Sequence, residues 1–430
     1  MVTVPGRIPL IYNLFPRYYR TIHEWCGAVS HITEMAFTAV FVNSFNETGC
    51  SGSLYAVKNY FRLNPLFMES GADGADFASL SQFIAACTTS GLQPVMDLII
   101  NHTAIDSPLV TEHGAWYKRD QSGRVASPFA IDPGNPGAVT VWGDLASIDN
   151  EGSSDRDALW RYWDRVVSFY QKLGFTGFRC DAAYQVSASL WRWLIDRAKK
   201  RNDAATFYAE TLGCRLDQIE ALNGCGFDYL FNSVKWWHYD QSWVFDQHVA
   251  NKHIAPSIAF AESHDTERLA SVWPGTEAVQ KSRYAFAALF SKALLMPAGF
   301  EYGAVTRIDV VHGTPRDIDP PQWDLTKWIA AMNRFKLSVP VLSEEGSWRP
   351  LNDYSCPYLF LEKASDVGNK PVYLCVNKNP TAPIIVDTPM IPQEVRCCSK
   401  MHALLDLPIG EDTVPEALLL DPAEIVVFRE

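Results

Sequence analysis

Over the first three quarters of the chain, compact apolar runs of five to seven residues alternate with longer stretches whose apolar residues return every three to four positions. Runs of the first kind, bounded by turn formers, predict buried strands, and stretches of the second kind predict amphipathic helices laid against them. Strands are expected at 9–15 (PLIYNLF), 39–45 (AVFVNSF), 94–100 (PVMDLII), 177–182 (GFRCDA), 207–211 (FYAET), 227–232 (FDYLFN), 257–263 (SIAFAES) and 294–300 (LLMPAGF). Helices are expected near 75–90, 155–173, 187–201, 276–292 and 322–338, several of them opened by Ser, Asp or Thr; Ser187, ahead of ASLWRWLIDRAKK, has the right position for a cap. Eight strands in such repeated βα units predict an α/β fold, a closed (β/α)8 barrel.

Two stretches break the alternation. From Thr103 to about Ser153 the chain is rich in Gly, Pro, Asp and Ser and has no long apolar period, which predicts an excursion after the third strand that overhangs the barrel mouth. After about residue 340 the helical period disappears and short runs such as PYLFLEK, PVYLCVNK, PIIVDT and EIVVFRE predict a small antiparallel β domain. The expected division is a barrel from 1–102 and 154–340, an insertion at 103–153 and a C-terminal β domain at 341–430.

Composition narrows the partners more than the fold. With 47% hydrophobic and 20% charged residues in 430, the chain reads as a folded catalytic domain plus an accessory one. A net charge of -12, from 49 acids against 37 bases, argues against nucleic acid or an anionic membrane as partner, since both reward clustered Lys and Arg. A neutral substrate fits better. No apolar run is long enough to span a membrane and no secretory signal is visible at the start, while the ten cysteines lack any CxxC pair. Reduced, buried thiols and a cytoplasmic address are the expectation.

The chemistry lies in four polar strings placed where apolar runs give out: DLIINH ending at His102, GFRCDAA around Asp181, FYAE ending at Glu210 and FAESHD ending at Asp265. In a parallel barrel the strand C-termini share one face, so Asp97, His102, Arg179, Asp181, Glu210, His264 and Asp265 should converge. Three acids in one cleft raise one another's pKa, a cost that points to acid and base work. Arg179 and Asp181, two apart on a strand, share a face, and the arginine should keep the aspartate ionised. Cleaving a glycosidic bond with retention needs a carboxylate nucleophile and, about 5 Å away, a protonated acid. Asp181 suits the first role. Glu210, beside the apolar Phe207, Tyr208 and Ala209, suits the second, and Asp265 would oppose positive charge on the sugar ring. His102 and His264 are candidate donors to sugar hydroxyls. Cys180 should face away from Asp181 and pack behind the sheet.

These strings resemble the four motifs of the alpha-amylase superfamily, glycoside hydrolase family 13, with the GFRxDAA motif matched almost completely at Gly177–Ala183. The resemblance implies a TIM barrel with a short domain B after strand three, a C-terminal β-sandwich, and a retaining mechanism on α-1,4-glucosidic bonds of an α-glucan or maltooligosaccharide. It implies Asp181 as nucleophile, Glu210 as acid/base and Asp265 as transition-state stabiliser. YAVKNYFRLNPLF resembles the family segment whose tyrosine stacks under the sugar, which makes Tyr55 the candidate platform; Asn59 and Asn64 stand where the family more often has acids. No cofactor is expected, although the family's structural calcium often uses the position of Asn101, with Asp132, Asp144 and Asp149 available nearby.

MPAGFEYG, with Glu301 and Tyr302, together with GSLYAVKNYFRLNPLF and DLTKWIAAMNRF, is similar to bacterial maltosyltransferases that use maltose 1-phosphate, whereas His264 departs from their Asn-x-x-Asp form of the fourth motif. That alternative needs phosphate donors near the leaving group, for which Lys58, Arg268 and Arg307 are candidates. A non-catalytic carbohydrate-binding protein on the same barrel is a third reading, but its mark would be loss of an acid, and all three are present. Trp236, Trp237, Tyr239 and Trp243, after strand six, read equally as core or as further sugar sites.

Overall fold

The computed structural model describes residues 7–132, 135–388, 391–392, 395, 397–404 and 414–430. Eight parallel strands close the barrel: β1 (Leu10–Leu14), β2 (Ala39–Val42), β3 (Gln93–Leu98), β4 (Gly177–Cys180), β5 (Thr206–Ala209), β6 (Tyr229–Phe231), β7 (Ser257–Ala259) and β8 (Ala293–Pro297). Each pairs with its sequence neighbours, and β8 closes on β1 with Leu10 opposite Leu294. The eight expected strands are therefore the barrel strands, each ending before the polar residues that follow it. Side chains alternate across the wall: Ile11, Phe41, Val95, Tyr208, Ile258 and Leu295 fill the interior, while Leu10, Val40, Met96, Phe178 and Phe207 pack outward against the helices. Gly177 has to be small, because a Cβ there would come within 2.5 Å of Val95 on the adjacent strand.

The outer layer contains α1 (Ile22–Glu34), α2 (Ala78–Thr89), α3 (Arg156–Leu173), α4 (Ala188–Arg201), α5 (Trp243–Asn251), α6 (Glu277–Phe290) and α7 (Thr326–Ser338). Five coincide with the expected helices. Ser187 caps α4 by accepting from Leu190 N at 3.4 Å, and Thr276 caps α6 in the same way. α1 and α5 were not foreseen. Ile22, Trp25, Val29 and Ile32 do supply the buried stripe of α1, but His, Ser, Thr and Gly between them dilute the period.

Between β3 and α3 the chain forms two small antiparallel pairs, His102–Ala104 with Leu145–Ser147 and Phe129–Asp132 with Asn135–Val141. A further hairpin, Asn46–Thr48 with Val57–Leu63, follows β2 and carries Tyr55 in its turn. No helix among the described residues is long and apolar enough to cross a membrane.

The C-terminal part is antiparallel throughout. β9 (Ser347–Pro350), β10 (Tyr358–Ala364), β11 (Val372–Asn377), β12 (Ile384–Asp387), β13 (Cys397–Lys400), β14 (Ala417–Leu420) and β15 (Ile425–Arg429) form a five-stranded sheet in the order β9-β10-β11-β15-β13 and a β12–β14 pair. Tyr373 and Cys375 face the small core between these two layers, whereas Val372, Leu374 and Val376 of the same strand join the main core. The fold is thus a TIM barrel with a C-terminal β domain. Trp348 stacks on Phe290 at the end of α6, with ring centroids 5.2 Å apart, and Lys363 from β10 donates to the Leu289 and Phe290 carbonyls.

Candidate active site

Asp97, Arg179 and Tyr208 stand level on adjacent strands, because the register pairs Arg179 with both of the others. Above them the strands end in Asp181, Glu210 and the loop bearing His264 and Asp265. The Arg179 guanidinium is buried and binds three acids: Nη1 donates to Asp97 Oδ1 and to Asp181 Oδ1, each at 2.8 Å, and Nη2 lies 3.6 Å from Asp265 Oδ2. It rests 5.9 Å from the ring centres of both Phe41 and Tyr55.

Glu210 is fixed through backbone donors. Ala182 N reaches its Oε2 at 3.1 Å and Leu212 N its Oε1 at 2.8 Å. Ala182 is held at φ 41, in the left-handed region, which turns its N–H toward the neighbouring strand end. Burial pushes the Glu210 carboxyl up to about 7; Arg179 opposes this, and the charges of Asp181 and Asp265 reinforce it. The neutral acid is the main form below that value. Burial likewise lifts Asp97 above the usual carboxylate range, against the pull of Arg179.

Tyr55 is joined to this group at its hydroxyl, which donates to Asp97 Oδ2 at 2.7 Å. The same oxygen accepts from Asn43 Nδ2 at 2.9 Å and lies 2.6 Å from His264 Nε2. Since its only proton goes to Asp97, His264 carries its hydrogen on Nε2, shared with Asp265 Oδ2 at 3.1 Å. Burial lowers the His264 pKa to about 4, so the ring is neutral at pH 7, and it lies parallel to the Tyr55 ring. His102 Nε2 donates to the Tyr55 carbonyl at 3.0 Å, which fixes the hairpin turn; its Nδ1 and that of His264 are buried without a partner.

Every residue singled out in the four strings therefore lies at one barrel mouth. Cys180 is fully buried with its thiol toward Phe178 O, pointing away as strand alternation required. Sequence reasoning missed Asn43 and Asn13. Asn13 Nδ2 donates to Asn43 Oδ1 at 2.8 Å, which extends the polar layer back to β1. Their signal was available: both are polar residues at inward positions of strand-forming runs.

Of the aromatic group that read equally as core or as sugar sites, Trp237 and Tyr239 are core, 0% and 5% exposed, Trp243 is half-buried, and Trp236 is turned to solvent, at 45%. Arg268 is out of reach of a phosphate: it is fully buried, paired with Glu262 at 2.7 Å and bonded to Tyr18 Oη, Ala298 O and Thr306 O. Lys58 is engaged with Asp106, whereas Arg307 donates to Asp265 O at 3.2 Å and pairs with Glu267. Asn101 Oδ1 is buried without a hydrogen-bond partner while its amide donates to Gln185; Asp149 accepts from Gly152 N, and the side chain of Asp132 lies outside the described residues. Among the described residues no group of three or more His, Cys, Asp or Glu is placed to hold a metal.

Several known proteins are similar to this chain in sequence or in fold. The family profile described as glycogen debranching enzyme, glucanotransferase domain, matches residues 10–132. The alpha-1,4-glucan:maltose-1-phosphate maltosyltransferase of Burkholderia pseudomallei is 24% identical over 83% of this chain and 31% of its own length. A cyclomaltodextrinase from a Bacillus species is 22% identical over 87% of this chain and 67% of its own. Among solved structures, an alpha-amylase from Lactobacillus plantarum superposes with a TM-score of 0.77 at 18% identity, covering 98% of this chain and 99% of that one. A maltogenic alpha-amylase from Thermotoga neapolitana gives 0.75 at 17% identity, covering 100% and 99%. These findings bear out the resemblance to the alpha-amylase superfamily. The sequence likeness runs to maltosyltransferases, of whose length this chain spans about a third.

Proposed function

We propose that this chain cleaves α-1,4-glucosidic bonds of maltooligosaccharides or α-glucan with retention, passing the sugar through an ester on Asp181. The observation that carries the reading is the buried guanidinium of Arg179 bonded to both Asp97 and Asp181 and facing Asp265, with the raised carboxyl of Glu210 accepting from the amide of Ala182, the residue after Asp181. Asp181 attacks the anomeric carbon, the glycosidic C–O bond breaks, and Glu210 gives its proton to the departing oxygen. Asp265 opposes the positive charge on the ring while both bonds are partial. A water or a second sugar hydroxyl then attacks the same carbon and yields its proton to Glu210, and the Asp181 ester bond breaks to regenerate the carboxylate. Tyr55, tied through its hydroxyl, offers its ring to the sugar at the cleaved bond. No metal is required for any of these steps.

A second reading, transfer of maltosyl units to or from phosphate, is favoured by the maltosyltransferase relatives and by Arg307 at the carbonyl of Asp265. One experiment separates the two: product analysis of the purified chain on maltooligosaccharides with and without phosphate. Shorter or redistributed oligosaccharides in both conditions are expected; maltose 1-phosphate formed from glucan and phosphate would decide for the second reading. Asp181→Ala should abolish either activity, and unchanged turnover in that variant removes the mechanism. Buried thiols outside disulfides, such as Cys87, Cys180 and Cys225, support a reducing, cytoplasmic setting for this neutral-sugar chemistry.

A further inference from the structure

Trp236 is a large aromatic side chain, 45% exposed, at the end of the turn Val234–Trp236 that follows β6. Its neighbour Trp237 is fully buried, so the turn separates a core tryptophan from a solvent-facing one. The exposed ring lies against the segment that follows the acid. Glu210 is followed by Leu212, whose N–H holds the carboxylate, and by Gly213, whose N–H donates to Ser233 Oγ at 3.3 Å and whose φ of 71 turns the chain back. A Cβ on Gly213 would lie 3.5 Å from the Trp236 ring, so the six-membered edge of the indole rests against the backbone three residues beyond Glu210.

Lys235, on the same turn, is half-buried and makes no ion pair among the described residues. Burial lowers its pKa, Glu262 and Glu267 oppose the shift, and Arg283 and Arg307 reinforce it. An exposed aromatic face laid against the backbone that follows the proton donor makes a subsite of the kind that holds a pyranose.

We propose that Trp236 is the platform for the sugar on the leaving-group and acceptor side of the cleaved bond. The proposal rests on the role assigned above to Glu210: the sugar whose oxygen receives the Glu210 proton lies on the Glu210 side of the site, where the indole is. In the forward direction the ring holds the departing sugar; in transfer it holds the incoming one, whose hydroxyl attacks the anomeric carbon as the Asp181 ester bond breaks and its proton passes to Glu210.

The test compares Trp236→Ala and Trp236→Phe on two donors, maltotetraose and α-maltosyl fluoride, the second of which leaves as fluoride and carries no sugar on that side. In Trp236→Ala, kcat/KM on maltotetraose and the ratio of transfer to hydrolysis should each fall roughly five- to tenfold, and fluoride release in the absence of a sugar acceptor should stay within about twofold. Trp236→Phe should recover most of the loss, and Trp273→Ala, at another exposed tryptophan, should change neither donor. Equal losses on both donors would mean a structural role and overturn the proposal, as would no loss on maltotetraose. Absence of fluoride release by the wild-type chain above the level of Asp181→Ala would instead remove the glycosidase reading on which the proposal stands.

Discussion

The carboxyl of Glu210 is the group on which pH acts most directly. Burial raises it to about 7, so the neutral form that can protonate a leaving oxygen is present below that value and is lost above it. kcat/KM on maltooligosaccharides should therefore decline as pH rises through about 7, and Glu210→Gln should remove hydrolysis of these glycosides while sparing the first step on a glycosyl fluoride, which needs no proton. A flat profile to pH 9 would contradict the assignment. Tyr55→Phe deletes one hydroxyl with contacts to Asp97, Asn43 and His264. Loss of these bonds should cost about 1–3 kcal/mol in urea unfolding, and kcat/KM should fall with it, because Asp97 keeps Arg179 as its other partner but loses the ring's anchor. At this scale the sequence spoke more loudly of charge than of amides. Asp97, Arg179, Asp181, Glu210 and Asp265 stood out because charged residues at the ends of apolar runs have few bland explanations, whereas Asn13 and Asn43 look like ordinary strand-end residues until the barrel brings them together.

Among the elements, the loop after β7 depends most on a single interaction. Arg268 and Glu262, both buried, close it onto itself; Glu262 also accepts from Leu269 N, and Arg268 reaches Ala298 O and Thr306 O on the following segment. His264 and Asp265 sit between these two anchors. Arg268→Ala leaves a buried carboxylate unpaired and should destabilise the fold by about 3–5 kcal/mol, whereas a Glu262→Gln/Arg268→Met pair should recover part of that in the same unfolding measurement. An Arg268→Ala chain as stable as wild type would show that the pair does not hold the loop. Strands were the most legible elements, since eight runs of Val, Ile, Leu, Phe and Met between turn formers have one period and one reading. The excursion after β3 was not legible in detail: its strands are three to seven residues long and owe their pairing to each other and to the loop of Tyr55, which no local pattern announces.

At the scale of the whole molecule, the barrel and the C-terminal sheet share one hydrophobic core. Trp348 stacks on Phe290, Trp328 donates to Met401 O, and Lys336 and Lys363 both bring an ammonium to the carbonyls at the end of α6. A helix C-terminus is a good place for a buried cation, because its last carbonyls have no partners within the helix. Chains cut near residue 340 would leave Phe290 and Trp328 uncovered and should fail to give a soluble monomer, and the full chain should unfold in one calorimetric transition. Two separated transitions would show instead that the β domain is independent. The change of period near residue 340 marked the second domain in the sequence, but nothing in that pattern indicated how closely it is joined to the first.

One consequence follows from the amides beneath the acids. Asn13 donates to Asn43, Asn43 donates to Tyr55, and Tyr55 donates to Asp97, so every dipole in the series points the same way, toward the carboxylates. Reversing one amide would require reversing its neighbour, and the last member cannot reverse without losing the proton that faces Asp97. The field at the mouth is thus oriented before a sugar arrives, and solvent reorganisation, the cost that slows such bond cleavage in water, has already been met when the chain folds.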